Sequence, residues 1–247
     1  MKAQKLSFLN LYPDLLNLCG DRGNIICLRK RCEWRGIEVE LKEHRPGDEL
    51  RPDEIDVVFL GGGFPREQKI TAEHLLKNKK TLQDFIETDG VMIAVRGGYR
   101  MTGLYYRTEV ETVEGLSLVN IYTVGNDTRM TGNVVIESRI EGLQSGRIVG
   151  FENHSDRTYT GEHTPLGYVI SGFGNNGEDG AEGVVYKNLI GTHLQGPLFP
   201  KNPMLADYVI LKALRRKYGG SAELSALDDS AEERARAYAE KRFALPR

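Results

Sequence analysis

The sequence predicts an α/β protein built on a doubly wound parallel sheet, with a β-rich second half on the same core. Three observations predict it. From Lys5 to Leu104, strand-like and helix-like stretches alternate, the pattern of a parallel sheet covered on both faces. Two short apolar runs, Asp56–Leu60 and Val91–Val95, each lead into a glycine turn, as central strands do at the ligand-binding edge of such sheets. With 247 residues, 40% of them hydrophobic, the chain can bury one large core and still carry a tail.

Lys5–Tyr12 reads as the first strand, and Leu15–Gly23 as a loop rich in Asn, Gly and Asp. Asn24 is placed to cap a helix through Arg35, with Ile25, Leu28 and Cys32 on one face and Gly36 at its end. Ile37, Val39 and Leu41 alternate with charged residues as in a half-buried strand. Glu73–Thr88 has helical periodicity, and Asp89-Gly90 ends it.

Beyond the second glycine turn the texture changes. Leu116–Val124, Asn133–Ile140, Gly146–Phe151, Leu166–Ser171, Gly183–Tyr186 and Asn188–Leu194 read as short strands split by turns. Asn202-Pro203 opens a helix to Tyr218, with Asn as cap, Pro at the first position and Gly219 past the end. No linker divides this stretch from the first half, so residues 1–220 form one expected domain. Residues 221–247 form a charged tail in which Ser230 and Glu233 have capping-box spacing. That tail reads as a solvated helix or as a docking segment for a partner.

The net charge of −2 argues against a nucleic-acid partner, and no apolar run is long enough to span a membrane. The N-terminus has no secretory signature, and Cys19, Cys27 and Cys32 show no metal-ligand spacing; both point to reduced thiols in the cytoplasm. Cys27 and Cys32 read as core. His44, His74 and His163 lie in polar surroundings and read as surface residues. Glu152, Asn153 and His154 lie in what reads as a loop and do not form a metal triad on spacing. No cofactor is expected.

The stretch that organises the chain is Val91–Gly103, VMIAVRGGYRMTG. A buried strand running into Gly97-Gly98 and a short helix describes a sharp elbow that lifts Arg96 above the sheet edge, beside a helix N-terminus. Enzymes with this geometry place Cys or Ser at the tip, where amides lower a thiol pKa and hold an oxyanion. Arginine is neither nucleophile nor base at neutral pH.

LNLCGDRGNIICLRKRCEWRGI, VVFLGGGFPREQ, VMIAVRGGYRMTG, GFENHSDRTY, GNNGEDGAEG and GTHLQGPLFPKNP together resemble one family, in family order from Leu16 to Pro203. It is the glutaminase subunit of lipid II isoglutaminyl synthase, in the cobyric-acid-synthase-like branch of class I glutamine amidotransferases. The resemblance implies a triad-type glutaminase. A Cys on the elbow attacks the glutamine amide, a His on a late strand shuttles the proton, backbone amides including those near Gly62 hold the oxyanion, and Gly62 and Gly97 count among the substrate-binding residues. Ammonia passes to a Mur-ligase-like synthetase subunit of a heterodimer, which amidates the D-glutamate of the peptidoglycan stem peptide. Asp21 matches an active-site acid, and Arg129 matches the arginine expected to hold the glutamine α-carboxylate.

Carried over residue by residue, the resemblance breaks at the chemistry. The family's Cys-Gly-Gly-Tyr-Gln is here Arg96-Gly97-Gly98-Tyr99-Arg100, and its Thr-Tyr-Leu-His-Gly-Pro is Thr192-His193-Leu194-Gln195-Gly196-Pro197. The nucleophile position therefore holds Arg96 and the base position Gln195. A thioester cannot form without a thiolate. The expected protein is a pseudo-glutaminase acting as structural or regulatory partner of the synthetase. Two alternatives stand beside it. One is a stand-alone binder of a carboxylate or phosphate metabolite through Arg96, Arg100 and Arg129. The other is a rewired glutaminase, for which His193, two residues from Gln195, or Cys19 near Asp21 would be the handles. The substitutions themselves fit natural divergence or engineering.

Overall fold

The computed structural model describes residues 4–138, 140–143 and 146–243. Residue 139 of the expected 133–140 strand, residues 244–247 of the tail and the side chain of Cys19 lie outside the described residues.

The elements in chain order are β1 (Lys5–Leu11), α1 (Arg22–Glu33), β2 (Glu38–His44), β3 (Val57–Leu60), α2 (Pro65–Lys77), α3 (Lys79–Glu87), β4 (Val91–Val95) and α4 (Gly97–Thr102). Then come β5 (Tyr105–Arg107), β6 (Thr112–Glu114), β7 (Tyr122–Glu137), β8 (Arg147–Tyr159), β9 (Gly167–Ser171), β10 (Ala181–Glu182), β11 (Val184–Tyr186) and β12 (Leu189–Thr192). Helices α5 (Pro203–Tyr218) and α6 (Ser230–Phe243) close the described chain.

The first sheet runs β11-β12-β4-β3-β1-β2, parallel except for β11. Its central strands are buried on both faces, which is why they are continuous apolar runs. Alternation sorts their side chains between two cores. Phe8, Phe59, Ile93 and Val95 face α1 and α5, while Leu11, Leu60, Met92 and Ala94 face α2 and α3. The second sheet runs β10-β9-β7-β5-β6, with β8 paired to β7. An isolated bridge ties β8 to the segment just after β12: the Gln195 amide donates to the Phe151 carbonyl at 2.9 Å.

Several sequence expectations are corrected. Helix α1 begins at Arg22, so Asn24 is not its cap; Asn24 is buried and accepts from the Phe199 amide at 3.0 Å. The helix expected over Glu73–Thr88 starts at Pro65, whose fixed φ suits a first turn, and breaks at Asn78 into α2 and α3. The expected strands Leu116–Val124 and Asn133–Ile140 belong to one long β7 beginning at Tyr122, whose register shifts between Gly125 and Met130. GFENHSDRTY is not a loop but the body of β8, paired to β7 along its length. His44 is buried edge-on against Tyr12, with centroids 5.4 Å apart, and burial lowers its pKa. His74 and His163 are half-buried. Cys32 lies in the core and Cys27 packs against it.

Helix α6 buries none of its side chains fully. Its start is tied by Arg31 on α1, whose buried guanidinium forks to Asp207 on α5 and to Asp229 just ahead of α6, while farther along Glu240 pairs with Arg147 on β8 at 3.6 Å. Arg35 adds a bond to Asp207 at 2.7 Å and another to the Ser225 carbonyl.

Candidate functional site

Strands β3 and β4 pair in parallel with Leu60 opposite Ala94, so both glycine turns leave the same sheet edge side by side. A Cβ at Gly62 would sit 3.2 Å from the Cβ of Arg96, and one at Gly98 would run into the Leu60 carbonyl. Only glycines let the two turns approach this closely. Arg96 itself has φ 53° and ψ −112°, a conformation non-glycine residues avoid. Its amide donates to the Thr192 carbonyl at 2.8 Å and its carbonyl accepts from the Arg100 amide at 3.0 Å. The strained elbow is thus fully built, and an arginine stands at its tip.

Asp21 reaches the neighbouring turn. Its Oδ2 accepts from the Gly62 amide at 2.7 Å. Burial pushes its carboxyl up to about 7, opposed by that amide and by the charge of Arg96. The Gly62 donor that the resemblance assigns to an oxyanion therefore points at a carboxyl of the same chain. Gly97 begins α4, and the carboxamide of Gln68 lies against it.

The three arginines do not form an open cluster. Arg100 pairs with Asp156 on β8 and donates to Gln68 Oε1, and its guanidinium lies 4.4 Å from the centre of the Tyr106 ring. Arg96 Nη2 donates to the Asn153 carbonyl at 3.1 Å, and Arg129 Nη1 to the Asn153 side chain at 2.7 Å. One β8 residue thus gathers Arg96 and Arg129, while Asp156, farther along the same strand, neutralises Arg100.

Gln195 is buried with its amide on Phe151 and its carbonyl accepting from Lys201 Nζ at 3.3 Å. Its side-chain oxygen has no partner among the described residues. His193 does not share that setting. Its ring is enclosed, stacked on His154 at 4.0 Å and edge-on to Tyr99 at 5.0 Å, with Nε2 bonded to Thr158 Oγ1 at 2.9 Å. Burial, with the charges of His154, Arg100 and Arg96, holds its pKa well below the usual imidazole value. Glu182, also buried, accepts from the His193 amide at 2.9 Å and from the Thr192 hydroxyl, and burial pushes it up to about 7.

Among the described residues, no thiol stands at the elbow tip. Burial raises the thiols of Cys27 and Cys32 to about 11 and about 12, so both are protonated at neutral pH, and both lie on α1. No group of His, Cys, Asp or Glu among the described residues is arranged to hold a metal ion. No helix among them is long and apolar enough to cross a membrane. Asn153, Asp156 and Glu182 were not legible as site residues from the sequence. The one available signal was that they sit in the stretches carrying the family resemblance.

Residues 9–203 match the family model described as a CobB/CobQ-like glutamine amidotransferase domain. The chain is 43% identical over 229 residues to the Staphylococcus aureus protein named lipid II isoglutaminyl synthase (glutamine-hydrolyzing) subunit GatD, covering 92% of each. It is 36% identical over 228 residues to the Streptococcus pneumoniae protein of the same name, covering 91% of this chain and 86% of that one. A cobyric acid synthase of Listeria monocytogenes is 34% identical over 128 residues, 48% of this chain and 24% of that one. Among solved structures, a glutamine amidotransferase superposes with a TM-score of 0.57 at 14% identity, covering 83% of this chain and 98% of that one, which is a likeness of fold. The elbow, the paired glycine turns and these matches agree, and the chain belongs to the CobB/CobQ-like glutamine amidotransferase family.

Proposed function

We propose that this chain is the glutaminase-like subunit of a synthetase of the lipid II isoglutaminyl kind, and that it does not hydrolyse glutamine. The observation that carries the reading is Arg96 at the elbow tip, in the strained conformation of a nucleophile, with its guanidinium bonded to Asn153. Gln195 holds the position of the base, and an amide takes no proton at neutral pH. The resemblance gives Asp21 the place of the family's acid, Gly62 and Gly97 places among its substrate-binding residues, and Arg129 that of its carboxylate-binding arginine.

On this reading the subunit serves a Mur-ligase-like synthetase as a structural or regulatory partner in a cytoplasmic heterodimer, in cell-wall precursor amidation. The Staphylococcus aureus and Streptococcus pneumoniae relatives, matched over 92% and 91% of this chain, are both named as subunits, which supports a partner. Residues 1–220 would be the amidotransferase-like domain and 221–247 a separate charged tail. The metabolite-binding alternative is disfavoured because Asp156 and Gln68 already engage Arg100.

The test is to purify the chain with a Mur-ligase-like synthetase and supply either ammonium or glutamine as nitrogen donor. The complex amidates its acceptor with ammonium and not with glutamine. Equal use of glutamine would overturn the reading.

A further inference from the structure

We propose that the cavity beneath α6, away from the elbow, binds a small oxyanion, phosphate or carboxylate, between Lys201 on the body and Arg236 on the tail helix. Whether the elbow hydrolyses glutamine does not bear on it.

Helix α6 does not lie flush on the domain. Beneath it is a cavity of about 210 Å³, lined by Asn133 on β7, Val149 on β8 and Lys201, and by Glu232, Arg236 and Ala239 of the helix. The charges around this space do not balance. Lys201 is half-buried and pairs with no carboxylate among the described residues; its Nζ donates to the Gln195 carbonyl at 3.3 Å. Burial without a counter-charge lowers its pKa. Arg236 shares Glu240 with Arg147, so two guanidiniums lean on one carboxylate. Its Nη1 is the nitrogen on Glu240, while its Nε is enclosed with no partner among the described residues. Glu232, the acid in the lining, pairs with neither Lys201 nor Arg236. Donors and positive charge are therefore in excess.

An oxyanion supplies what the lining lacks. It can accept from the ammonium and the guanidinium together, and such charge-assisted bonds gain strength in an enclosed site. Lys201 stands just before α5 and Arg236 on α6, so the ligand bridges the body and the tail helix. Because α6 buries none of its side chains fully, it is the wall that lifts for entry and the element that the bridge then tightens. Lys201 also links the site to Gln195, whose carbonyl it holds.

The experiment is thermal unfolding of the full chain in sodium phosphate and in sodium acetate, against sodium chloride at matched ionic strength, with hydrogen exchange read across Ser230–Phe243. Phosphate, acetate or both raise the melting temperature saturably, with half effect at millimolar concentration or below, and slow exchange in α6; chloride does neither. Whichever acts names the oxyanion the site takes. Lys201→Met and Arg236→Met keep side-chain bulk without charge, and each raises the half-effect concentration at least ~10-fold. Lys241→Met, exposed in the last turn of α6, leaves it unchanged. Either lining variant decides the question if the other does not fold. No saturable effect from either oxyanion overturns the proposal, as does an effect that a folded lining variant keeps at wild-type strength. Stabilisation that leaves exchange in α6 unchanged puts the anion elsewhere and overturns it too.

Discussion

The Asp21 carboxylate accepts a hydrogen bond from the Gly62 amide at 2.7 Å, coupling the loop before α1 to the turn beside the elbow. The bond satisfies a buried backbone donor, yet it buries an acid whose other oxygen, Oδ1, has no partner among the described residues.

Stability should carry the signature of that acid. Its pKa rises from 3.8 to about 7 in the folded chain, so the fold binds a proton that the unfolded chain has released. The contribution is fully present below about pH 4 and is lost as pH rises through about 7, on the order of 2–4 kcal/mol. Glu182 acts in the same sense, raised from 4.5 to about 7, whereas the lowered imidazoles of His44 and His193 act oppositely below pH 6.5. The difference between Asp21→Asn and wild type isolates Asp21. The variant should melt higher at pH 8 and nearly equal to wild type at pH 4.

Removing Asp156 strands a cation. Arg100 and Asp156 are almost wholly enclosed, so Asp156→Ala should destabilise by about 3–5 kcal/mol in urea unfolding. Arg100→Gln combined with Asp156→Asn removes both charges and should restore most of the loss. If the double change is as damaging as Asp156→Ala, the pair is not what the site depends on.

The tail should come loose at one residue. Asp229 is one of two carboxylates on buried Arg31, and α6 has no buried side chain of its own to hold it. Asp229→Ala should raise hydrogen exchange across Ser230–Phe243 while β4 and β12 stay protected. Arg31→Ala, which leaves Asp207 and Asp229 facing each other, should lower global stability by about 3–5 kcal/mol.

Restoring the tip should restore some chemistry. The elbow backbone is intact, so Arg96→Cys with Gln195→His should yield a faint thioester with glutamine, detectable by mass spectrometry. Adding Arg100→Gln should increase it, because that guanidinium, held by Asp156 and Gln68 one turn beyond the elbow tip, would crowd the substrate beside a thiolate at position 96. Arg96→Cys alone should stay at background, since His193 is enclosed by Tyr99, His154 and Thr158 and cannot act for position 195. Oxyanion and positioning effects are worth orders of magnitude in damaged sites.

The parts of this fold that sequence made legible are those with a short physical rule. Val57–Leu60 and Val91–Val95 are apolar because both faces are covered, and their glycine exits predicted that the two turns would meet. The elbow was readable for the same reason, as was the absence of a nucleophile at Arg96. Less legible were features decided by partners far along the chain. Asn24 looks like a cap, but Phe199, distant in sequence, claims its side chain. Strand β8 is rich in polar residues because His154, Asp156 and Glu152 have buried partners, so it reads as a loop. His44 reads as exposed among charged neighbours, while strand alternation turns it inward against Tyr12. The engagement of Arg100 by Asp156 and Gln68 was invisible in a cluster of three arginines.

The most direct measurement is ammonium release from amide-labelled glutamine, followed by nitrogen NMR on the chain purified with a Mur-ligase-like synthetase. The pseudo-glutaminase account predicts no signal above a protein-free control, with thiol alkylation making no difference. Labelled ammonium that disappears on alkylation, or on Cys19→Ser, would contradict it and reveal a working nucleophile away from the elbow.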